Sequence, residues 1–140
     1  MFPQKEEKAM VNKFERFYED VRKIEMGDVE NPKVAYAEWV KKIEAEGSVF
    51  IDLYRYYVKS KELGHESMNI YGFAIRDVKE SIEILKDCGI KKFTISYDSM
   101  DMIYDFVEAG AKITGMVKVM TRKKTFGCDA EMKPAVVLEI

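Results

Sequence analysis

The sequence predicts an α/β chain, with α+β as the nearest alternative: an N-terminal helical hairpin packed on a small βαβαββ mixed sheet. Three observations carry the prediction. Apolar residues recur at spacings of three and four through residues 4–62. Past Gly64 the pattern changes to short apolar runs, some strictly alternating, set between short helical segments. Two of those segments repeat one grammar at a fixed offset: Asp77 matches Asp98, Ile82 matches Ile103, Leu85 matches Phe106 and Gly89 matches Gly110. Two successive strand–cap–helix–Gly units with right-handed crossovers put the first three strands parallel in one sheet.

In order along the chain, residues 4–26 read as a helix on the row Met10, Phe14, Phe17, Val21 and Ile24, ended by Gly27 and Asp28. Asn31-Pro32 starts the next, because Asn caps orphan N–H groups and Pro suits the first helical position. Tyr36, Val40, Ile43, Phe50, Tyr54 and Tyr57 keep the helical rhythm through Gly47, so 32–62 reads as one long helix, with two helices meeting at Gly47-Ser48 as the second choice. Gly64 ends it. The hairpin so formed is expected to cover apolar surface of the sheet.

Residues 68–75 read as a strand, 78–88 as a helix capped by Asp77, and 93–97 as a strand with Phe93, Ile95 and Tyr97 on one face and Thr94 and Ser96 on the other. A helix over 99–109 follows, its buried face made of Met102, Ile103, Phe106 and Val107. Strands over 112–122 and 135–140 close the chain as an antiparallel pair. The expected units are 1–64 and 65–140, forming one folding unit.

Composition excludes several classes. At 47% apolar and 34% charged residues, with eight Tyr, eight Phe and one Trp, the chain is globular rather than disordered. A net charge of −2 excludes a polycation. No stretch approaches the ~18 apolar residues of a membrane span, and MFPQKEEKAMVNKF holds no signal-like apolar core. Cys88 and Cys128 form no CxxC pair and read as thiols of a reducing cytosol. A cytoplasmic protein is expected.

Catalytic signals are sparse. Asp98 and Ser99 end a strand, where α/β sheets bind ligands, but an Asp before a helix is first of all a cap. No Gly-rich loop precedes either helix. His65 is the only histidine, has no metal-ligand neighbours, and reads as a surface or capping residue. Cys88 reads as packed, and Cys128, near Lys123 and Lys124, has the better claim to a lowered pKa.

Charge patterning says more. Asp98, Asp101, Asp105 and Glu108 form an acidic helical stripe. Next comes the strand with Lys112, Lys118, Arg122, Lys123 and Lys124 and no acid; period two places Lys112, Thr114, Met116, Lys118, Met120, Arg122 and Lys124 on one face. Such a row contacts phosphates or protects a sheet edge. In DLYRYYVKSK, Tyr54, Tyr56 and Tyr57 cannot share one side of a helix, so the helix packs on both sides or shows rings to a partner.

One stretch carries a likeness. Gly89, Ile90, Phe93, Thr94 and Ser96, then a helix with a Phe, Gly110, and Gly115-Met116 in a strand form a pattern. It resembles an uncharacterised domain of small proteins from mobile elements and prophages of Gram-positive bacteria. Where the resemblance implies a Trp or a Ser-Thr pair, Tyr97-Asp98-Ser99 stands. It implies the fold and a setting, and no reaction.

The sequence therefore reads as a non-catalytic accessory or interaction protein that binds another macromolecule, a protein partner or its own copy. No cofactor, metal or membrane contact is expected. Two alternatives stay open: a weak nucleic-acid binder through the basic strand 112–124, and a small enzyme or ligand-binding domain at the strand ends. Candidate binding residues are Ser96, Asp98, Ser99, Lys118, Arg122, Lys124, Tyr54 and Tyr57.

Overall fold

The structure, a computed structural model, describes residues 12–72, 77–96 and 100–140. These residues form five helices and a four-stranded mixed sheet, the α/β architecture expected. Helix α1 runs over Lys13–Glu25, and residues 4–11 of the helix expected there lie outside the described residues. Asn12, at φ 67°, caps it, its Oδ1 accepting the Glu15 N–H at 3.0 Å. Helix α2 (Pro32–Ala45) starts at the Asn31 cap and runs back along α1. Lys13 pairs with Glu46 at 2.9 Å at one end, and the Trp39 indole N–H donates to the Phe17 carbonyl at 2.9 Å further along. Tyr36 lies half-exposed on this helix, not in the core.

The single long helix is not formed. Gly47 takes φ 99°, a left-handed conformation that breaks the ladder, and α3 (Ser48–Leu63) starts anew. Helix α3 is the hub of the molecule. One side turns Phe50, Tyr54 and Tyr57 toward α1 and α2; Phe14 stacks on Phe50 at 4.8 Å and Tyr57 at 5.4 Å. Tyr56 and Ser60 face the sheet and its loops, so all three tyrosines are buried and the helix packs on both sides. Helices α1 and α2 pack on one side of α3, and α3, the second half of the long helix expected in the hairpin, meets the sheet at its first and third strands in chain order.

The remaining elements are β1 (Asn69–Ile70), α4 (Val78–Asp87), β2 (Lys92–Ile95), α5 (Met100–Glu108), β3 (Lys112–Arg122) and β4 (Glu131–Glu139). Asp77 caps α4 as its position implies, Oδ1 accepting the Glu80 N–H at 3.0 Å. Strand β1 is only two residues long, and residues 73–76 of the longer strand expected there lie outside the described residues. The sheet order is β1-β2-β4-β3. Strands β1 and β2 are parallel, β4 is antiparallel to both neighbours, and β3 thus runs with β1 and β2. The last strand pairs with β3 as expected but inserts between β2 and β3. It also starts four residues early, running through Pro134. Pairing with β2 stops at Val136, so at Pro134 one side of β4 is already open and a missing N–H costs no ladder bond there.

Pairing fixes which residues share a face. Ile70, Phe93, Ile95 and Leu138 fall on an apolar face against α4 and α5, with Phe93 and Phe106 5.3 Å apart. Met102 and Phe106 of α5 are buried, whereas Val107, expected inside, is exposed. Asn69, Thr94, Ser96 and Val137 fall on the other, more polar face, beneath α3 and the loop after it. The imidazole of His65, in that loop, crosses to β3 and places Nε2 2.6 Å from the Met120 carbonyl. A carbonyl only accepts, so Nε2 carries the proton, and this histidine is a tie between elements rather than a surface residue.

Candidate functional site

Two places stand out. The first is a cleft of ≈ 320 Å³ on the polar face, at the carboxyl ends of the parallel strands β1 and β2. Its floor is a hydrogen-bonded set of buried polar groups. Asn69, 1% exposed, donates from Nδ2 to Ser96 Oγ at 2.9 Å and accepts from Thr94 Oγ1 at 2.7 Å. Its backbone N–H, on the outer side of β1, donates to Ser60 Oγ at 2.9 Å, so α3 closes that edge of the sheet. Lys59 and Leu63 of α3, Tyr71, and Lys133 and Glu131 of β4 form the walls. Glu131 accepts from Thr121 Oγ1 at 2.7 Å. That bond first, and then Lys133 and Arg122, hold its carboxyl below the usual range. Burial, then Glu62, pushes the Tyr71 phenol up against an opposing effect of Arg55, and Tyr71 meets Tyr56 edge-on at 4.8 Å.

The second place is the outer edge of β3. It has no neighbouring strand among the described residues, in contrast to the closed β1 edge. Ile113, Met116 and Val117 are exposed along it, Met116 at 70%. Phe126 stands fully exposed at the hairpin tip, where the Thr125–Cys128 bridge and Gly127 at φ 83° make the turn.

Two register shifts revise the lysine row. One residue is bulged out between Ile113 and Gly115 and another between Met120 and Arg122. Each bulge flips the alternation. Lys112 and Arg122 therefore share the face of Glu139, Val137 and Glu131, while Lys118 lies with Met116 and Met120 on the opposite face. The continuous basic row expected from period two does not exist.

Of the other sequence candidates, Ser96 lies in the cleft, whereas Asp98 and Ser99 lie outside the described residues. Lys124 is exposed on the hairpin loop. Tyr54 and Tyr57 are inside the helical core. Burial first, and then Glu25, raises the Tyr54 phenol; burial first, and then its donation to Glu15, raises that of Tyr57. Cys88 is buried, with its thiol pushed up by burial, and Cys128 is exposed. Asp101, Asp105 and Glu108 are exposed along α5. Among the described residues no cluster of His, Cys, Asp or Glu is placed to hold a metal ion, and no helix is long and apolar enough to cross a membrane. Sequence reading missed Asn69, Lys59, Tyr71, Glu131 and Lys133. The one local signal was an amide inside the apolar run MNIYGFAI.

Fold and surfaces define an α/β domain with one closed sheet edge, one open edge and a polar cleft at the parallel strand ends. The chain belongs to the family described as "Domain of unknown function (DUF7698)", whose model matches residues 52–140. The match opens within α3 and takes in the whole sheet, the cleft and β3, leaving α1 and α2 outside it. No curated protein and no solved structure matches the chain.

Proposed function

We propose that this protein is a non-catalytic interaction module that takes an extended segment of a protein partner onto the outer edge of β3. The observation that carries the reading is that edge itself: nine to eleven residues long by the pairing of β4 and β3, and bordered by exposed Ile113, Met116 and Val117. An added strand satisfies the unpaired backbone groups, and side chains on alternate positions supply specificity. Charge selects the partner. Lys112, Lys118, Arg122, Lys123 and Lys124 occur with no acid among them, so an acidic segment fits. A second copy fits poorly: with Val117 opposite itself, Lys112 faces Arg122 on both sides of the pair, and like charges opposite each other destabilise a ladder. The cytoplasmic location, resting on the cysteine usage, and an origin in mobile elements or prophages, resting on the resemblance, belong to this proposal.

The test is affinity capture from the native host with the wild-type chain and with Met116→Pro, which removes a donor from the outer side of β3 and bars strand pairing at that point. A protein partner captured by the wild type, resistant to nuclease and absent with the variant, is expected. Capture that vanishes with nuclease, or that falls steeply with salt without regard to Met116→Pro, overturns the reading in favour of nucleic-acid binding.

A further inference from the structure

From the cleft at the ends of β1 and β2, a region separate from the β3 edge, we infer a second binding site, for a small organic monoanion bearing a carboxylate. The first support is the floor. Asn69 and Ser96 are 1% and 6% exposed, yet both line the cleft. Burying an amide and two hydroxyls where apolar side chains would pack costs free energy unless each is hydrogen-bonded. Here they bond to one another and so present a preformed polar surface. Neighbouring positions of the same face, Ala135 and Val137, are apolar and buried, so the sheet does not require polar side chains in this layer.

The second support is the wall. Lys59 and Lys133 come from α3 and β4 on either side, and neither forms an ion pair among the described residues. Glu131 is the one carboxylate, already held by Thr121. Two ammonium groups against one carboxylate leave a net charge of +1, which a single negative charge neutralises. A dianion, though attracted too, costs more to desolvate and leaves a negative charge without a counter-charge in the cleft. Leu63 and the Tyr71 ring give an apolar body somewhere to rest. A volume of ≈ 320 Å³ is at the small end of ligand sites, which span about 300–1,000 Å³. The third support is position: α/β sheets bind ligands outside the carboxyl ends of parallel strands.

The experiment is a titration of the full chain, isotopically labelled, followed by amide shifts. The probes are benzoate, phenyl phosphate and the neutral benzyl alcohol. Benzoate should shift Asn69, Ser96 and Lys133 saturably in the millimolar range, benzyl alcohol should not, and phenyl phosphate should bind more weakly than benzoate. Lys59→Gln and Lys133→Gln should each weaken benzoate about tenfold, as expected for the loss of one charge-assisted hydrogen bond. Both changes are at the cleft wall, and an unchanged spectrum away from it reports that the fold is intact. The inference is overturned by equal shifts with benzyl alcohol, by no saturable shift with either anion, or by undiminished binding in both lysine variants. Tighter binding of phenyl phosphate overturns the choice of a monoanion. None of these outcomes bears on partner capture by β3.

Discussion

Phe14→Ala is the most informative single change, because it asks whether the helical layer and the α/β layer share one folding transition. Phe14 is fully buried and stacks on Phe50 and Tyr57, both on α3. Truncating a buried Phe costs about 3–5 kcal/mol, with the stacked geometry adding to plain area loss. Unfolding entropy of about 2.1 cal/mol/K per residue gives roughly 0.3 kcal/mol/K for 140 residues, so each kcal/mol moves the midpoint by about 3 °C. A melting temperature about 10–15 °C lower is therefore expected, measured by calorimetry, as one transition. The single transition follows from α3: Phe50, Tyr54 and Tyr57 hold α1 and α2, while Ser60 on the same helix closes the edge of β1. Loosening one side of α3 should loosen the other. Two transitions, the upper at the wild-type temperature, would refute the argument and show that residues 65–140 hold together without the helices.

Two further outcomes follow from particular hydrogen bonds. Ser60→Ala leaves the Asn69 N–H without its partner on a buried edge and should cost about 1–3 kcal/mol in denaturant unfolding; no measurable change would mean that another group satisfies that donor. Alkaline pH should destabilise the chain through Tyr57. Its phenol is raised, chiefly by burial, so the neutral form is the one the fold favours; that contribution is complete below the ordinary phenol value of about 10 and is lost as pH rises beyond it. Tyr57→Phe, compared across the same pH range, should show a shallower fall in melting temperature, and parallel curves would exclude this tyrosine as a source.

What was legible in the sequence was local. Asn31-Pro32, Asp77, Gly64, Gly89 and Gly110 act through their own backbone neighbourhood, and each lies at a helix boundary. What was not legible depended on backbone geometry or on distant pairing. Side-chain periodicity continues in phase through Gly47, yet its φ of 99° ends α2, and no spacing of apolar residues encodes a dihedral angle. The bulges of β3 escaped for the same reason, although Gly115 inside a strand was a usable sign of one. The insertion of β4 between β2 and β3 had a signal in AVVLEI: Ala135 and Val137 are buried on one face and Leu138 on the other, as in a central strand. The cleft was hardest to see. Its floor comes from β1 and β2, and its walls from α3 and β4, residues far apart in sequence that only the sheet order brings together.

The two sheet edges also bear on how the basic residues of β3 should be understood. Lysines on an edge strand are a common protection against unwanted pairing, and bulges serve the same end by twisting the edge away. β3 has both, so its charge alone does not distinguish protection from binding. The apolar residues do. An edge built only for protection has no use for exposed Ile113, Met116 and Val117, nor for a Phe126 fully exposed at the adjoining tip, since each raises the tendency to associate. At the β1 edge the same chain shows what closure requires: one helix and one serine hydroxyl on a backbone N–H. With that solution available at one edge and the β3 edge left without a neighbouring strand among the described residues, the proposed function gives the lysines the part of a filter: they would turn away a second copy, whose own lysines they would meet, and would admit a segment of opposite charge.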